Sequence, residues 1–377
     1  MDIVVEAMRA HGHAREVQLH GFGLLWLLVE ADAVRRARLV ALGGLVLAVQ
    51  AVQMFREHAD MQSRGVKLVS LLAAEGREQR ASLMELGCVE MVLGAMAAQP
   101  RQVEMLQAGC EVLRRFAEDP GNQEKVFDAG AGERIIAAMR ANRGALELEA
   151  AACGAIKALA YKQAEIGAKI QELKGVEYVL KAMHKSPNSV DLQLQATTAL
   201  RFLAADSHAI PNQIADLGGC QLVMDALKLF PTEERLQEHG LAVLTNCAWD
   251  DAENQLSIVV QGGIEHVLQT MKDFAENTKV LAFACALIQS LACDHGEHRA
   301  ILAKEGAIEQ VVAAMRKHPQ AANVQAYGCA ALQSLAVDSA ANARTIIALQ
   351  VEDYIDVVME RHPYSLKLKE FGEMLLT

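Results

Sequence analysis

Ala314 to Ala336 reads AMRKHPQAANVQAYGCAALQSLA, two apolar-periodic stretches that meet at His318-Pro319. Proline cannot continue a helix, so the corner separates one helix from the next. Steps of 44 residues back from Met315 reach Met271, Leu227, Met183 and Met139; one step of 43 reaches Met96, and steps of 44 reach Val52 and Met8. A step forward lands on Met359. A period in the forties carried only by helical signals predicts stacked helical repeats.

Other columns move with this anchor. Four residues after it stands Pro100, Pro187, Pro231, Pro319 or Pro363. Thirteen after it the residue is small: Gly21, Gly65, Gly109, Ala152, Ala196, Gly240, Ala284, Gly328 and Gly372. Glycine inside a helix costs about 1 kcal/mol against alanine, so its recurrence predicts a close approach of neighbouring backbones. Twenty after it come Leu28, Leu72, Phe116, Leu159, Leu203, Cys247, Leu291 and Leu335. Within one copy Val324, Gly328, Leu332 and Leu335 share a helical face and form the candidate core.

The form AMxxHP followed by VQxxGCxALxxLA resembles the armadillo repeat family, and the likeness covers essentially the whole chain. It implies three helices per repeat: a first over Ala341–Leu349, a second over Ile308–His318, and a third over Asn323–Ala336. HEAT repeats have two helices, but the apolar-periodic segment Asn254–Val260 leaves room for a third. The fold class implied is all-α, a right-handed superhelical solenoid of about eight three-helix repeats. It would form one unit over 1–377, with partial repeats at 1–11 and 364–377. Open ends at Ile3–Ala10 and Leu366–Leu376 would make end-to-end self-association possible.

Composition agrees. Hydrophobic residues make up 52% and aromatics 4%, which suits helices packed through Ala, Leu, Val and Met. The net charge of −11 argues against general nucleic-acid binding, which needs Lys and Arg to neutralise phosphates. Cys110, Cys153, Cys285 and Cys329 share one repeat column and read as compact core side chains rather than a disulfide framework, pointing to the reducing cytoplasm or nucleus. The start lacks a secretory layout, and Asp2 stands where myristoylation needs glycine. The apolar runs Gly21–Val29 and Leu39–Val49 are short of the ~20 residues a bilayer requires, so no membrane insertion is expected.

Chemistry-bearing residues are few. Glu75, Asp119, Asp206, Asp250, Asp294 and Asp338 recur as third helices end. They read as an acidic strip or, with Asn122, Asn254 and Asn342, as caps and loop ties for the next helix. Cys293, His295 and His298 are zinc-type ligands without the paired spacing of a structural site. Asp206, Ser207 and His208 are adjacent, which does not build a catalytic relay. No phosphate-binding glycine loop is present. No enzyme, metal or cofactor is expected.

What remains is a surface. In armadillo repeats the third helices line a concave groove for extended peptides or partner helices. By helical spacing one copy presents Ala326, Ala330, Gln333, Ser334 and Val337 there. Nuclear-import adaptors of the family, the alternative class, carry tryptophan with asparagine four residues later. Here that ladder is matched only by Asn246. The expected partner site instead has a basic part, Arg114, Arg115, Lys157 and Arg201, suited to an acidic stretch. A second part holds Asn246, Trp249, Phe283, Gln289, Ser290, Tyr327, Gln333 and Ser334. Trp249 reads as an exposed anchor or as buried between repeats. The resulting function is a non-enzymatic scaffold that binds a protein partner.

Overall fold

A computed structural model describes residues 1–119, 121–205, 207–293 and 295–376, excluding the side chains of 367 and 374–376. Among the described residues it contains 26 helices and no strand. The chain divides into two compact units, 1–207 and 208–377.

The first unit opens with α1 (Asp2–Ala10) and α2 (Arg15–Val29). Next come α3 (Ala33–Ala41), α4 (Gly44–Met54) and α5 (Ala59–Ala73), then α6 (Arg77–Glu85), α7 (Cys88–Ala98) and α8 (Val103–Ala117). The unit closes with α9 (Gln123–Asp128), α10 (Ala131–Ala141), α11 (Leu146–Ala160), α12 (Ala164–Glu172), α13 (Gly175–Lys185) and α14 (Val190–Ala204). The second unit holds α15 (Ala209–Asp216), α16 (Gly219–Leu229), α17 (Glu234–Ala248), α18 (Ala252–Val260), α19 (Gly263–Asp273) and α20 (Thr278–Ala292). It continues with α21 (Gly296–Lys304), α22 (Ala307–Lys317), α23 (Ala322–Ala336), α24 (Ala340–Ala348), α25 (Val351–Arg361) and α26 (Leu366–Leu376). Second helices from α4 to α25 span 11 residues, and third helices from α2 to α23 span 15. The three helices expected of the last full pattern appear as α24, α22 and α23, shifted by one residue.

The turn from first to second helix has a strict backbone requirement. Gly43, Gly87, Gly130, Gly218, Gly262 and Gly306 all take positive φ there, as do Lys174 and Gln350. This left-handed residue ends the short helix, and glycine adopts it without strain.

The small-residue column has a different cause from the one its spacing suggests. A Cβ at Gly21, Gly109, Gly240, Gly328 or Gly372 would come within 2.5–2.7 Å of Met8, Met96, Leu227, Met315 or Met359. The space is therefore occupied by the anchor side chain of the same repeat, not by a neighbouring backbone. Leu72, Phe116, Leu159, Leu203, Cys247, Leu291 and Leu335 are buried as expected, while Leu28 is only half-buried. Burial pushes the Cys110, Cys285 and Cys329 thiols up to about 12, in keeping with packed, un-ionised side chains.

Polar groups in this core are tied to the helix corners. Buried Gln193 donates through Nε2 to the Met183 carbonyl at 2.9 Å and the Ser186 carbonyl at 3.1 Å. Gln18, Gln62, Gln237 and Gln325 repeat this bond pair ten and seven residues back. Each satisfies two carbonyls that the end of a second helix leaves without an intrahelical donor. Between repeats, His318 Nε2 donates to the Ala275 carbonyl at 2.8 Å and His362 Nε2 to Pro319 at 2.8 Å.

The ends of the third helices are held similarly. Asn254 Nδ2 donates to the Cys247 carbonyl at 3.0 Å and Asn342 Nδ2 to Leu335 at 2.8 Å, while His298 Nδ1 meets Leu291 at 3.1 Å in the intervening repeat. Asn122 makes a longer bond, 3.3 Å, to Phe116. Burial, and next the neighbouring His295, keeps the His298 ring below its ordinary pKa. A depressed histidine pKa means that the unfolded chain binds more protons as pH falls through about 6.5, so stability drops on the acid side. His298→Asn installs the side chain used one repeat before and after. It should keep the melting temperature at pH 7.5 and lose less than wild type on acidification to pH 5.5. Equal acid losses in melting curves would contradict this.

Candidate functional site

The acidic column resolves into two local devices. Asp119 is buried and grips Arg80 of α6, with Nε–Oδ2 at 2.6 Å and Nη2–Oδ1 at 2.8 Å; Glu75 pairs with Arg36 one repeat earlier. Hydrogen bonding to Asp119 raises the Arg80 pKa. Asp250 and Asp338 instead occupy left-handed turns at φ 54° and 52°. They do not cap the next helix: Asp251 and Ser339, one residue on, accept from the Asn254 and Asn342 amides. Asp206 and Asp294 lie outside the described residues, so the Asp206-Ser207-His208 run is described only at Ser207 and His208. His298 is committed to the end of α20, its ring 4.5 Å from that of His295.

The expected basic part lies in the first unit, on α8, α11 and α14. Arg114 is held by Glu111 at 2.7 Å and Glu118 at 2.5 Å, and its stem lies against Gly154 of α11. Burial, then the charge of Arg114, lowers the pKa of Arg115. Lys157 Nζ donates to Gln195 Oε1 of α14 at 3.0 Å, and Arg201 lies over the Phe202 ring at 5.6 Å. Arg114 is answered by two carboxylates, and Lys157 and Arg201 are engaged by their own chain.

The second part lies in the second unit, on α17, α20 and α23. These helices pack along one another. The start of α20 is tied to that of α17, with Asn277 bonded to Glu234, and the corners before α20 and α23 are tied by His318 and Ala275. Asn246, Phe283, Gln289, Tyr327, Gln333 and Ser334 are half-buried on this face. Ser290 is 2% exposed and donates to the Ala286 carbonyl at 3.1 Å, so it belongs to the helix interior. Ala326 and Ala330 are likewise buried, whereas Trp249 is 58% exposed just past the end of α17.

A family model described as LRRK2 ARM repeat matches residues 162–355, more than half of the chain. The chain belongs to the LRRK2 ARM repeat family. Solved structures share the armadillo solenoid architecture. One, from work on a conserved phosphorylation switch that controls the interaction between cadherin and beta-catenin, is 14% identical with a TM-score of 0.77, over 100% of this chain and 68% of that one. An engineered protein is 17% identical with a TM-score of 0.70, over 100% and 97% of the two chains. No curated protein matches the chain. At these identities the structural likeness concerns the fold alone.

The armadillo arrangement also reveals positions that the sequence reading passed over. His239 precedes Phe283 and Tyr327 by whole periods, giving an aromatic column on α17, α20 and α23. In the first unit Tyr161 meets Phe202 edge-on at 5.0 Å, with Lys162 Nζ 5.4 Å from the tyrosine ring. Tyr161 stands two periods before Trp249, so the period itself was the available signal. On α2 and α5 a cavity of about 480 Å³ is lined by Trp26, Leu27, Arg64 and Lys67 among others. Among the described residues no single helix is long and apolar enough to cross a membrane.

Proposed function

We propose that the chain is a non-enzymatic protein-interaction scaffold whose second unit binds an extended partner segment along α17, α20 and α23. The observation that carries this reading is the row of amides and aromatics at equivalent positions of adjoining third helices. Gln289 and Gln333 are one period apart, as are Phe283 and Tyr327. An extended backbone presents N–H and C=O groups in turn, and carboxamides can answer both. Aromatic faces add large contact area at little entropic cost. A protein partner fits the fold better than nucleic acid, given the acidic chain. The buried, un-ionised cysteines suit a reducing cytoplasmic or nuclear setting.

Peptides selected from a display library on the full chain test this directly. Their binding should fall about tenfold or more in the double variant Gln289→Ala with Gln333→Ala. Selected peptides that bind this folded variant as tightly as wild type would remove the third-helix face as the recognition surface.

A further inference from the structure

The second unit carries a further surface along the edge where third helices hand over to first helices. Helices α17 and α23 end in the same way, with a terminal residue in extended conformation followed by a left-handed one. Trp249 has ψ 118° and Val337 has ψ 128°, and Asp250 and Asp338 follow at φ 54° and 52°. Cys293, between them in the repeat, has ψ 135°. This turn leaves the helix abruptly and puts its apolar residue outside. Trp249 is 58% exposed, Val337 45%, and Cys293 is exposed as well.

Three facts place these residues in one row. Helices α17, α20 and α23 each span 15 residues and pack along one another; Asn277 at the start of α20 is bonded to Glu234 at the start of α17, and the corners that lead into α20 and α23 are bonded through His318 and Ala275. Equal helices that begin together end together. The row is therefore an apolar ridge, and its electrostatic surroundings are negative. Asp250 and Asp338 are exposed beside their apolar neighbours, and exposed Glu253 follows in the first turn of α18. Each helix also directs the negative end of its dipole to this edge. Arg299 is occupied with the Ala292 carbonyl at the end of α20, 3.1 Å away, while Arg344 of α24 is exposed. An indole face is itself the best aromatic partner for a cation.

We propose that this edge docks a basic segment of a protein partner, one in which arginine or lysine alternates with apolar side chains. The apolar side chains lie on Trp249 and Val337, while the cations meet Asp250, Asp338 and the indole face. The inference rests on the reading of the second unit as an interaction surface, and adds an edge and a charge sign to it. It concerns a different surface from the basic part on α8, α11 and α14, for which the sequence expectation was an acidic partner stretch.

The test uses the full chain and a labelled peptide alternating arginine with leucine, with a glutamate–leucine peptide as its counterpart. Fluorescence anisotropy should show binding of the first and little of the second, weakening as salt is raised. Trp249→Ala should weaken it about thirtyfold if the indole is the anchor. Asp250→Asn with Asp338→Asn should weaken it several-fold and flatten the salt dependence; asparagine keeps the left-handed turns, so the fold is preserved. Gln289→Ala with Gln333→Ala should leave it unchanged. Failure of the basic peptide to bind, or equal binding of the acidic one, overturns the edge proposal. Loss in the glutamine variant with none in Trp249→Ala also overturns it, while leaving the third-helix face intact as the binding surface.

Discussion

Gly328→Leu is expected to destabilise the second unit by about 3 kcal/mol. A Cβ at this position already stands 2.6 Å from both Cγ and Sδ of Met315. A whole leucine has nowhere to go while Met315 fills the groove between α22 and α23. Alanine is a different matter. Three repeats carry it at the equivalent position, Ala152, Ala196 and Ala284, opposite Met139, Met183 and Met271. Gly328→Ala should therefore be far milder, since a small shift of a flexible methionine makes room. Combining Gly328→Leu with Met315→Ala should recover part of the loss, because the clash is with one side chain. Denaturant unfolding of the three variants checks this. Wild-type stability of Gly328→Leu, or no recovery in the pair, would refute the shared-space explanation.

Asp119→Ala should destabilise the first unit by a comparable amount, about 3 kcal/mol. Arg80 and Asp119 side chains are only 16% and 9% exposed and form a two-pronged pair. Removing the carboxylate leaves a desolvated guanidinium whose remaining described bond is a long one, 3.4 Å, to the Ala73 carbonyl. Most of the loss is the stranding of that charge rather than the worth of the bond. Replacing both members, Asp119→Leu with Arg80→Met, should accordingly cost less than Asp119→Ala alone. A double variant that is the worse of the two, measured by thermal and denaturant unfolding, would show that the pair itself stabilises the stack.

The repeat register, the three helices of the last full pattern to within a residue, and the anchor, small-residue and core columns were all legible in the sequence. They were legible because each repeat solves the same packing problem, so the same residue types return every 44 positions. The glutamine column at Gln18, Gln62, Gln193, Gln237 and Gln325 was equally periodic, but Leu106, Glu149 and Leu281 interrupt it. Its role also depends on carbonyls that only a folded corner brings within reach. Tertiary structure alone decided what each periodic position faces. Trp249 is exposed because a left-handed Asp250 swings the chain away from α17, while Ser290, one face of the pattern away, is closed off by its neighbours. Arg114 looked like an open cation until Glu111 and Glu118 were brought to it. Periodicity fixes the direction in which a side chain leaves its helix. Its exposure and its charge partners depend on the size and sign of residues a helix away, and that information exists only once the helices are stacked.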